Sequence, residues 1–597
     1  MTGAEYIAEF IARIGSRHVF TLTGGACAFM VDAVGVHPDL QVICVQNEQA
    51  AAMAADAVWR VSRKLGVTMA TSGPGATNLI TGIACSYFDS IPSLHITGQV
   101  NQRENRAVHG VNVRQAGFQE TKIVDMVRPI TKYATYIHSI EELRDELAKA
   151  YQIATCGRMG RVLIDVPMDI QQAQIEPIFP ELPTDSAIAS GDVDSAIRSL
   201  NDTLSAARRP IVLWGGGIAM AGVEASVIAW LQRTGLPFVS SWAGLSAFDH
   251  NAEQFLGQIG VYGNRGANFA LQNADAVIVL GSRLDNRQRS GNADNFVAGG
   301  IVHVVDVDPA EIAKLGSNSK YRGTLLDLAA LPEVLPHLAP VVIGDEWGSY
   351  LREMKTTYFQ RESSSVAVRL NSLSPYDLVR RLSEIAQPDA VIAADTGASV
   401  CWLHQAFQVK HHTLFTAGGN SPMGYSLCAA IGAKLERPAR QVIAYIGDGG
   451  LQVNIQELQT LKHLDLDIAV VVMNNGCYGI IKQFQDSYLG SRYTASQDGY
   501  STPDFGRIAA AYGIAYARIE QIEELTPALL GRGPILIDVV LSEHTIIEPK
   551  LEMGRPINDQ YPYLSDVEYE SGNRFVRYPR PTSFDQHRAT QPVPMSR

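Results

Sequence analysis

Long hydrophobic runs are missing from this 597-residue chain. No uninterrupted apolar segment approaches the roughly 20 residues of a membrane-spanning helix. Segment 1–15 mixes acidic residues with helically spaced apolar ones, unlike a signal peptide. Cysteine is sparse: seven residues, scattered, with no Cys-x-x-Cys pair. That pattern argues against a disulfide framework and predicts reduced core thiols. An excess of basic residues is also lacking, since 49 Lys and Arg face 61 Asp and Glu, a net charge of -12. Such a balance argues against a generic nucleic-acid or anionic-membrane surface, although it leaves small anionic ligands open. No short-period repeat is evident. The expectation is a cytoplasmic protein with no nucleic-acid and no membrane partner.

What is present is an ordinary globular composition, 46% hydrophobic and 18% charged, in a chain too long for one core. Short apolar runs alternate with helix-length segments, a pattern that predicts parallel α/β layers. Strand candidates include Val19–Leu22, Val42–Val45, Val67–Ala70, Leu94–Thr97 and Val162–Asp165, then Ile211–Trp214, Ala276–Leu280 and Ile301–Val305. The Pro-rich acidic stretch Glu176–Asp185 reads as a linker, and a polar segment around Arg361–Ser365 closes the second unit. A third unit starts near Ser374 and ends around Val540, followed by a tail whose last stretch, from about Pro579, resembles a disordered end. The fold class expected is α/β, with three doubly wound parallel-sheet domains (1–178, 190–340 and 370–545) and a C-terminal tail, 546–597.

Segment 442–479 carries the most chemistry. The apolar run Val442–Ile446 ends in Gly447-Asp448-Gly449-Gly450; after a helix-length segment, the run Ile468–Met473 ends in Asn474-Asn475. Both polar clusters therefore follow the carboxyl ends of predicted parallel strands, where open α/β sheets bind ligands. A carboxylate, a carboxamide and glycine-freed backbone offer oxygens to a hard cation that shares phosphate oxygens, as Mg²⁺ does. Asp and Gly are ordinary turn residues taken singly; their order and spacing make the pair specific. The segment resembles the diphosphate-binding motif of thiamine-diphosphate enzymes. That resemblance implies thiamine diphosphate and Mg²⁺ as cofactors. Asp448, Asn475 and the main-chain oxygen of Cys477 would be the metal ligands, and Gly447, Gly449, Gly450, Tyr478 and Gly479 would line the cofactor. Met423, after a glycine-rich turn, matches the bulky apolar residue that props the cofactor into its bent conformation. Thr396, in another strand-end loop, would meet the diphosphate.

Near the amino terminus, Glu48 follows a strand and opens an Ala-rich helix. An acidic residue is favoured in any first helical turn. Beside the diphosphate motif, the Glu48, Ala51, Ala54 and Ala55 spacing resembles the carboxylate that hydrogen-bonds the aminopyrimidine ring and promotes loss of the thiazolium C2 proton. The loop Ser72–Asn78, with Pro74 and Asn78, is similar to that of acetolactate synthases and their relatives. Phe118-Gln119-Glu120 extends the match, with Gln119 facing the reaction, and Gly24-Gly25 would lie over the thiazolium. The first and third domains would be pyrimidine-binding and diphosphate-binding, with the cofactor between them across a subunit interface. A homodimer or homotetramer follows. Departures from the family pattern include Asn47 where His is common, and Asp56-Ala57-Val58-Trp59-Arg60.

In the middle unit, Arg283-Leu284-Asp285-Asn286-Arg287 resembles the core that holds FAD in the acetolactate synthase group, where the flavin is mainly structural. Asp306 and Asp308 would approach the adenosine, and Gly215, Gly216 and Gly217 the pyrophosphate. Arg287 matches the arginine that holds an acceptor carboxylate. Phe484 stands where the family carries a Trp that selects a larger acceptor. The resemblance, covering roughly residues 2–565, implies a carboligase that moves a two-carbon hydroxyethyl unit from pyruvate to an acceptor carbonyl. Acetyl transfer to a nucleotide-linked ketosugar, suggested by Gly554-Arg555-Pro556-Ile557, remains an alternative. A flavin-dependent pyruvate oxidase, a C–C hydrolase or a silent scaffold are others.

Overall fold

The apolar runs become strands of three six-stranded parallel sheets, all of them central except Val42–Val45, which forms an edge. The computed structural model describes residues 1–111, 113–182, 192–359 and 372–580. The linker's last residues (183–185), the polar segment Arg361–Ser365 and the final stretch from 581 lie outside the described residues. In the first sheet, β1 (His18–Leu22), β2 (Gln41–Cys44), β3 (Gly66–Ala70), β4 (Ser93–Gln99), β5 (Tyr133–Tyr136) and β6 (Val162–Pro167) run in the order β2-β1-β3-β4-β6-β5. The last sheet repeats that order. There, β13 (Val391–Ala394), β14 (Thr413–Phe415), β15 (Val442–Gly447), β16 (Ile468–Asn474), β17 (Ala515–Ile519) and β18 (Ile535–Val540) run β14-β13-β15-β16-β18-β17. Strands β3, β4, β6, β15 and β16 are covered on both faces, which is why they read as continuous apolar runs.

These two sheets belong to one compact unit, formed from residues 1–189 and 367–546. Within it, the helix Glu48–Ser62 packs against the helix Tyr425–Glu436. Both helices are rich in alanine and nearly all their residues are buried. Small side chains let the two backbones approach. At Gly432 a Cβ would come within 2.2 Å of the Ala54 carbonyl oxygen. Replacing Gly432 by Ala must therefore push backbone against backbone. We expect the variant to lose about 1–3 kcal/mol, read as a lower denaturant midpoint. Polar ties fix the register of this packing. Buried Asp56 receives Arg60 Nε at 2.6 Å and the Tyr425 hydroxyl, while Arg60 Nη2 reaches Asp89 at 2.9 Å.

The central sheet belongs to the other unit, residues 190–366 with 547–597. Its strands β7 (Pro210–Trp214), β8 (Phe238–Ser240), β9 (Phe255–Gln258), β10 (Ala276–Leu280), β11 (Ile301–Asp306) and β12 (Tyr321–Leu325) run β12-β11-β10-β7-β8-β9. The segment following residue 546 is built into this unit as far as residue 580. Leu551 N–H donates to Val261 at 2.8 Å, Asn268 Nδ2 to Ile557 O at 3.0 Å, and the Tyr350 hydroxyl to Gly572 O at 2.6 Å. Arg555 is buried and paired with Asp559. Among the described residues no helix is long and apolar enough to cross a membrane.

Candidate active site

Each sheet has a point beside its first strand where the chain switches to the other side to add strands. In the first sheet this lies between β1 and β3, and in the last between β13 and β15. Crevices at such points, beyond the strands' carboxyl ends, are where open α/β sheets take ligands.

At the β13/β15 crossover, Asp395 and Thr396 follow β13, and Asp448 opens the helix Asp448–Val453 directly after β15. Asp448 is 3% exposed and its Oδ2 is buried without a hydrogen-bond donor among the described residues. Burial pushes its carboxyl up to about 6, against the backbone N–H of Gly449, the Tyr500 hydroxyl and the backbone N–H of Gly476, which favour the charged form. A buried acceptor left without a donor needs an explanation, and a cation supplies one. Asn475, past the end of β16, is 5% exposed and donates from Nδ2 to Cys477 Sγ at 3.4 Å. Burial pushes the Cys477 thiol up to about 11, so the sulfur stays protonated and only the main-chain oxygen of this residue suits a hard cation. Among the described residues no cluster of three or more His, Cys, Asp or Glu could hold a metal. A cation here would thus rest on one carboxylate and neutral oxygens, a set that fits Mg²⁺ with phosphate completing its shell.

The neighbours of Asp448 are tightly placed. A Cβ on Gly449 would lie 2.4 Å from the Tyr478 ring, and Tyr478 and Tyr500 have ring centroids 4.4 Å apart. On Gly450 a Cβ would sit 3.1 Å from the Asp395 carboxyl, and on Gly479 2.6 Å from Asn475 Nδ2. Gly447, by contrast, has only Ser399 Oγ nearby, at 3.8 Å, leaving the β15 end open. Buried Asp395 accepts from Thr396 N at 2.7 Å and Gly424 N at 2.9 Å, which secures the turn carrying half-buried Met423. The Thr396 hydroxyl bonds Ser421. Phe484 lies on the helix Gly479–Tyr488, its ring 4.8 Å from that of Tyr488.

The β1/β3 crossover gathers a second set. Glu48 is the first residue of its helix, capped by the Asn47 side chain, which accepts from Gln49 N at 2.8 Å. It is 4% exposed, and Asn78 Nδ2 donates to its Oε2 at 2.9 Å. Pro74 opens the short helix that ends at Asn78, and Gly75 lets Glu48 Oε1 approach, to 3.1 Å from where a Cβ would stand. Gln119 adopts φ 61, unusual for a residue with a side chain, and packs against Gly73, where a Cβ would lie 2.9 Å from its own. Buried Glu120 holds this turn by accepting from Arg106 Nε at 2.8 Å and from the N–H groups of Ala116 and Gly117. Gly24 packs on Thr71, while a Cβ on Gly25 would meet nothing within 4 Å. A cavity of about 520 Å³ is lined by Glu120 together with Gln99, Tyr136 and Asp165, and by none of the residues proposed for catalysis or for cofactor, metal or acceptor binding.

In the central unit the crossover falls between β7 and β10. Gly215 and Gly216 end up there, but a Cβ on them would meet Gly281 O at 2.1 Å and the Ala243 Cβ at 2.7 Å, so the chain's own packing already requires both. Arg283 pairs with Asp285 at 3.5 Å; Asp285 also caps the turn holding Arg287, and Asp306 closes β11 at the same sheet edge.

Tyr500, beside Asp448, escaped the sequence reading. It lies in an irregular segment with neither periodicity nor motif to mark it.

Comparison with known proteins identifies the family. Residues 1–126 match the N-terminal TPP binding domain of thiamine pyrophosphate enzymes, 197–320 the central domain and 395–539 the C-terminal TPP binding domain. The acetolactate synthase large subunit of Lactococcus lactis is 32% identical over 93% of this chain and 95% of its own length. The acetolactate synthase of Arthrospira platensis is 33% identical over 94% and 97%, and isozyme 2 large subunit of Escherichia coli 32% over 95% and 100%. The chain belongs to the thiamine pyrophosphate (thiamine diphosphate) enzymes, as an acetolactate synthase-like carboligase dependent on that cofactor.

Proposed function

We propose that the protein joins pyruvate to a second 2-oxo acid, releasing CO₂ and forming an acetolactate-type product. The observation carrying this reading is the donorless Oδ2 of buried Asp448 at the β13/β15 crossover, beside Asn475 and Cys477. Bound thiamine diphosphate supplies the electron sink for decarboxylation. Asp448, Asn475 and the Cys477 main-chain oxygen hold the Mg²⁺ that neutralises the diphosphate. Thr396, Gly447, Gly449, Gly450, Tyr478 and Gly479 line its path, and Met423 gives an apolar support to the rings. Glu48, oriented by Asn78, exchanges a proton with the aminopyrimidine nitrogen. Gln119 presents an amide to the reacting carbonyl, while Pro74, Gly24 and Gly25 shape the surrounding loops. Arg287 binds the acceptor carboxylate, and Phe484 leaves more room than a Trp would.

One C–C bond breaks and one forms, with no net oxidation, so no electron acceptor is consumed. FAD, if retained, is structural in this reading; Arg283, Asp285 and Asp306 are its proposed contacts, since the packing of Gly215 and Gly216 needs no ligand. The functional unit is proposed to be a homodimer or homotetramer acting in the cytoplasm. Ketosugar acetylation, pyruvate oxidation and C–C hydrolysis are not favoured, because acetolactate synthases match the chain nearly end to end.

Purified protein given thiamine diphosphate, Mg²⁺, FAD and pyruvate should release CO₂ and acetolactate in equal amounts, followed by mass spectrometry. CO₂ without acetolactate would overturn the acceptor assignment. Acetate formation with flavin reduction would replace the carboligase reading by an oxidase.

A further inference from the structure

Glu457 is wholly buried, yet no cation among the described residues accompanies it: its carboxyl is pushed up by burial, against the Thr460 hydroxyl and the backbone N–H groups of Gln46 and Asn47. Gln46 N lies 3.0 Å from Oε1 and 3.3 Å from Oε2, and Thr460 Oγ1 donates to Oε2 at 2.7 Å. Keeping a carboxyl in such a place costs solvation that a packing residue of the same size would not. What the position gains is an acceptor for two specific donors. Those donors belong to the two residues immediately before Glu48. They need one, because β2 is an edge strand and its continuation bonds β1 only through Val45 N to Thr21 O at 3.0 Å. Beyond that bond, the chain turns into the helix of Glu48 with no strand to receive Gln46 and Asn47. A second tie runs parallel: Gln49 Nε2 approaches Asn454 Oδ1 at 3.5 Å, and Asn454 Nδ2 donates to Gly424 O at 3.0 Å.

We infer that Glu457 is a positioning residue for Glu48: its carboxyl fixes the backbone of Gln46 and Asn47 and thereby sets where the Glu48 side chain projects. Glu457 and Asn454 follow directly on the helix Asp448–Val453, so the segment that carries the metal-binding carboxylate also anchors the proton-carrying one. This inference rests on the proposed role of Glu48.

The test compares Glu457→Ala, Glu457→Asp and Glu457→Gln with the wild-type full-length protein. Aspartate keeps a carboxyl but draws it away from Gln46; glutamine keeps an acceptor at full length. In the apoprotein, amide hydrogen exchange in peptides spanning residues 44–50 should rise at least about 10-fold in the Ala and Asp variants, with β1 and β3 unchanged. With cofactor bound, exchange of the thiazolium C2 proton should slow by about 10- to 100-fold in those two, the scale of an ångström-sized misplacement. Thiamine diphosphate affinity by calorimetry should stay within about 3-fold, and Gln should restore most of the rate. If the Ala variant fails to fold, Asp decides. Wild-type C2 exchange in a folded Ala or Asp variant overturns the inference, as does unchanged amide exchange at 44–50. Glu48→Gln serves as the control. If its C2 exchange is normal, the reading of Glu48 fails; if slow while the Glu457 variants are normal, only the positioning role fails.

Discussion

Glu48→Gln should lower carboligation by about 100- to 10,000-fold, the range of a positioned acid–base group. The substitution is nearly isosteric, and an amide oxygen can still accept from Asn78 Nδ2, which reaches Glu48 Oε2 at 2.9 Å. The helix should be undisturbed, since its start is capped by Asn47 rather than by Glu48. What disappears is the capacity to take up and return a proton. The loss should therefore fall on kcat and on C2 proton exchange, while cofactor affinity and melting temperature stay near wild type. Full turnover in a variant that binds cofactor normally would sink the proton-relay role.

Asp448→Ala should abolish metal-dependent cofactor binding, with an affinity loss of at least about 100-fold, beyond what outer-shell partners of a metal cost. Asn475 and the Cys477 carbonyl would then be the proposed ligands remaining, both neutral. The apoprotein should respond in the opposite sense. Asp448 Oδ2 is buried without a donor among the described residues, and burial raises its carboxyl by more than the Gly449, Tyr500 and Gly476 donors lower it, so the charge is a net cost to the unliganded fold. We expect the melting temperature of the apo variant to equal or exceed that of the wild-type apoprotein, a trade of stability for function. Added Mg²⁺ and thiamine diphosphate should stabilise the wild type by about 2.7 kcal/mol at a hundredfold excess over Kd. The variant should show no such gain under the same conditions. Calorimetry with and without Mg²⁺, paired with thermal melts, measures both. Undiminished metal-dependent binding would remove Asp448 from the metal site.

Both experiments address residues that were legible as local patterns. Gly447-Asp448-Gly449 and Asn474-Asn475 stand out because each follows a strand buried on both faces, β15 and β16, whose apolar runs need no tertiary knowledge to see. Edge strands other than β2, which the run Val42–Val45 marks, were not legible in the same way. β5, β12 and β17 are half-exposed or open to solvent over most of their length, so their sequences carry no continuous apolar signal. Glu48 could be proposed only because a second motif far along the chain gave its position a chemical purpose. Tyr500 and Glu457 had no such support, one in an irregular loop and the other on a short amphipathic helix.

By itself, then, the amino-acid sequence determined the alternation of strand and helix, the central strands of each sheet and the loops where polar groups follow them, because burial on two faces and turn chemistry are properties of neighbours in the chain. Tertiary structure alone decided the strand orders, which place the crossovers beside Glu48 and Asp448. It also decided that Gln119 packs on Gly73, that residues 547–580 join the central unit, and that Glu457 receives the N–H of Gln46 from 411 residues away. Such contacts follow from how whole layers pack, and no local periodicity records which distant donor a buried carboxyl will meet.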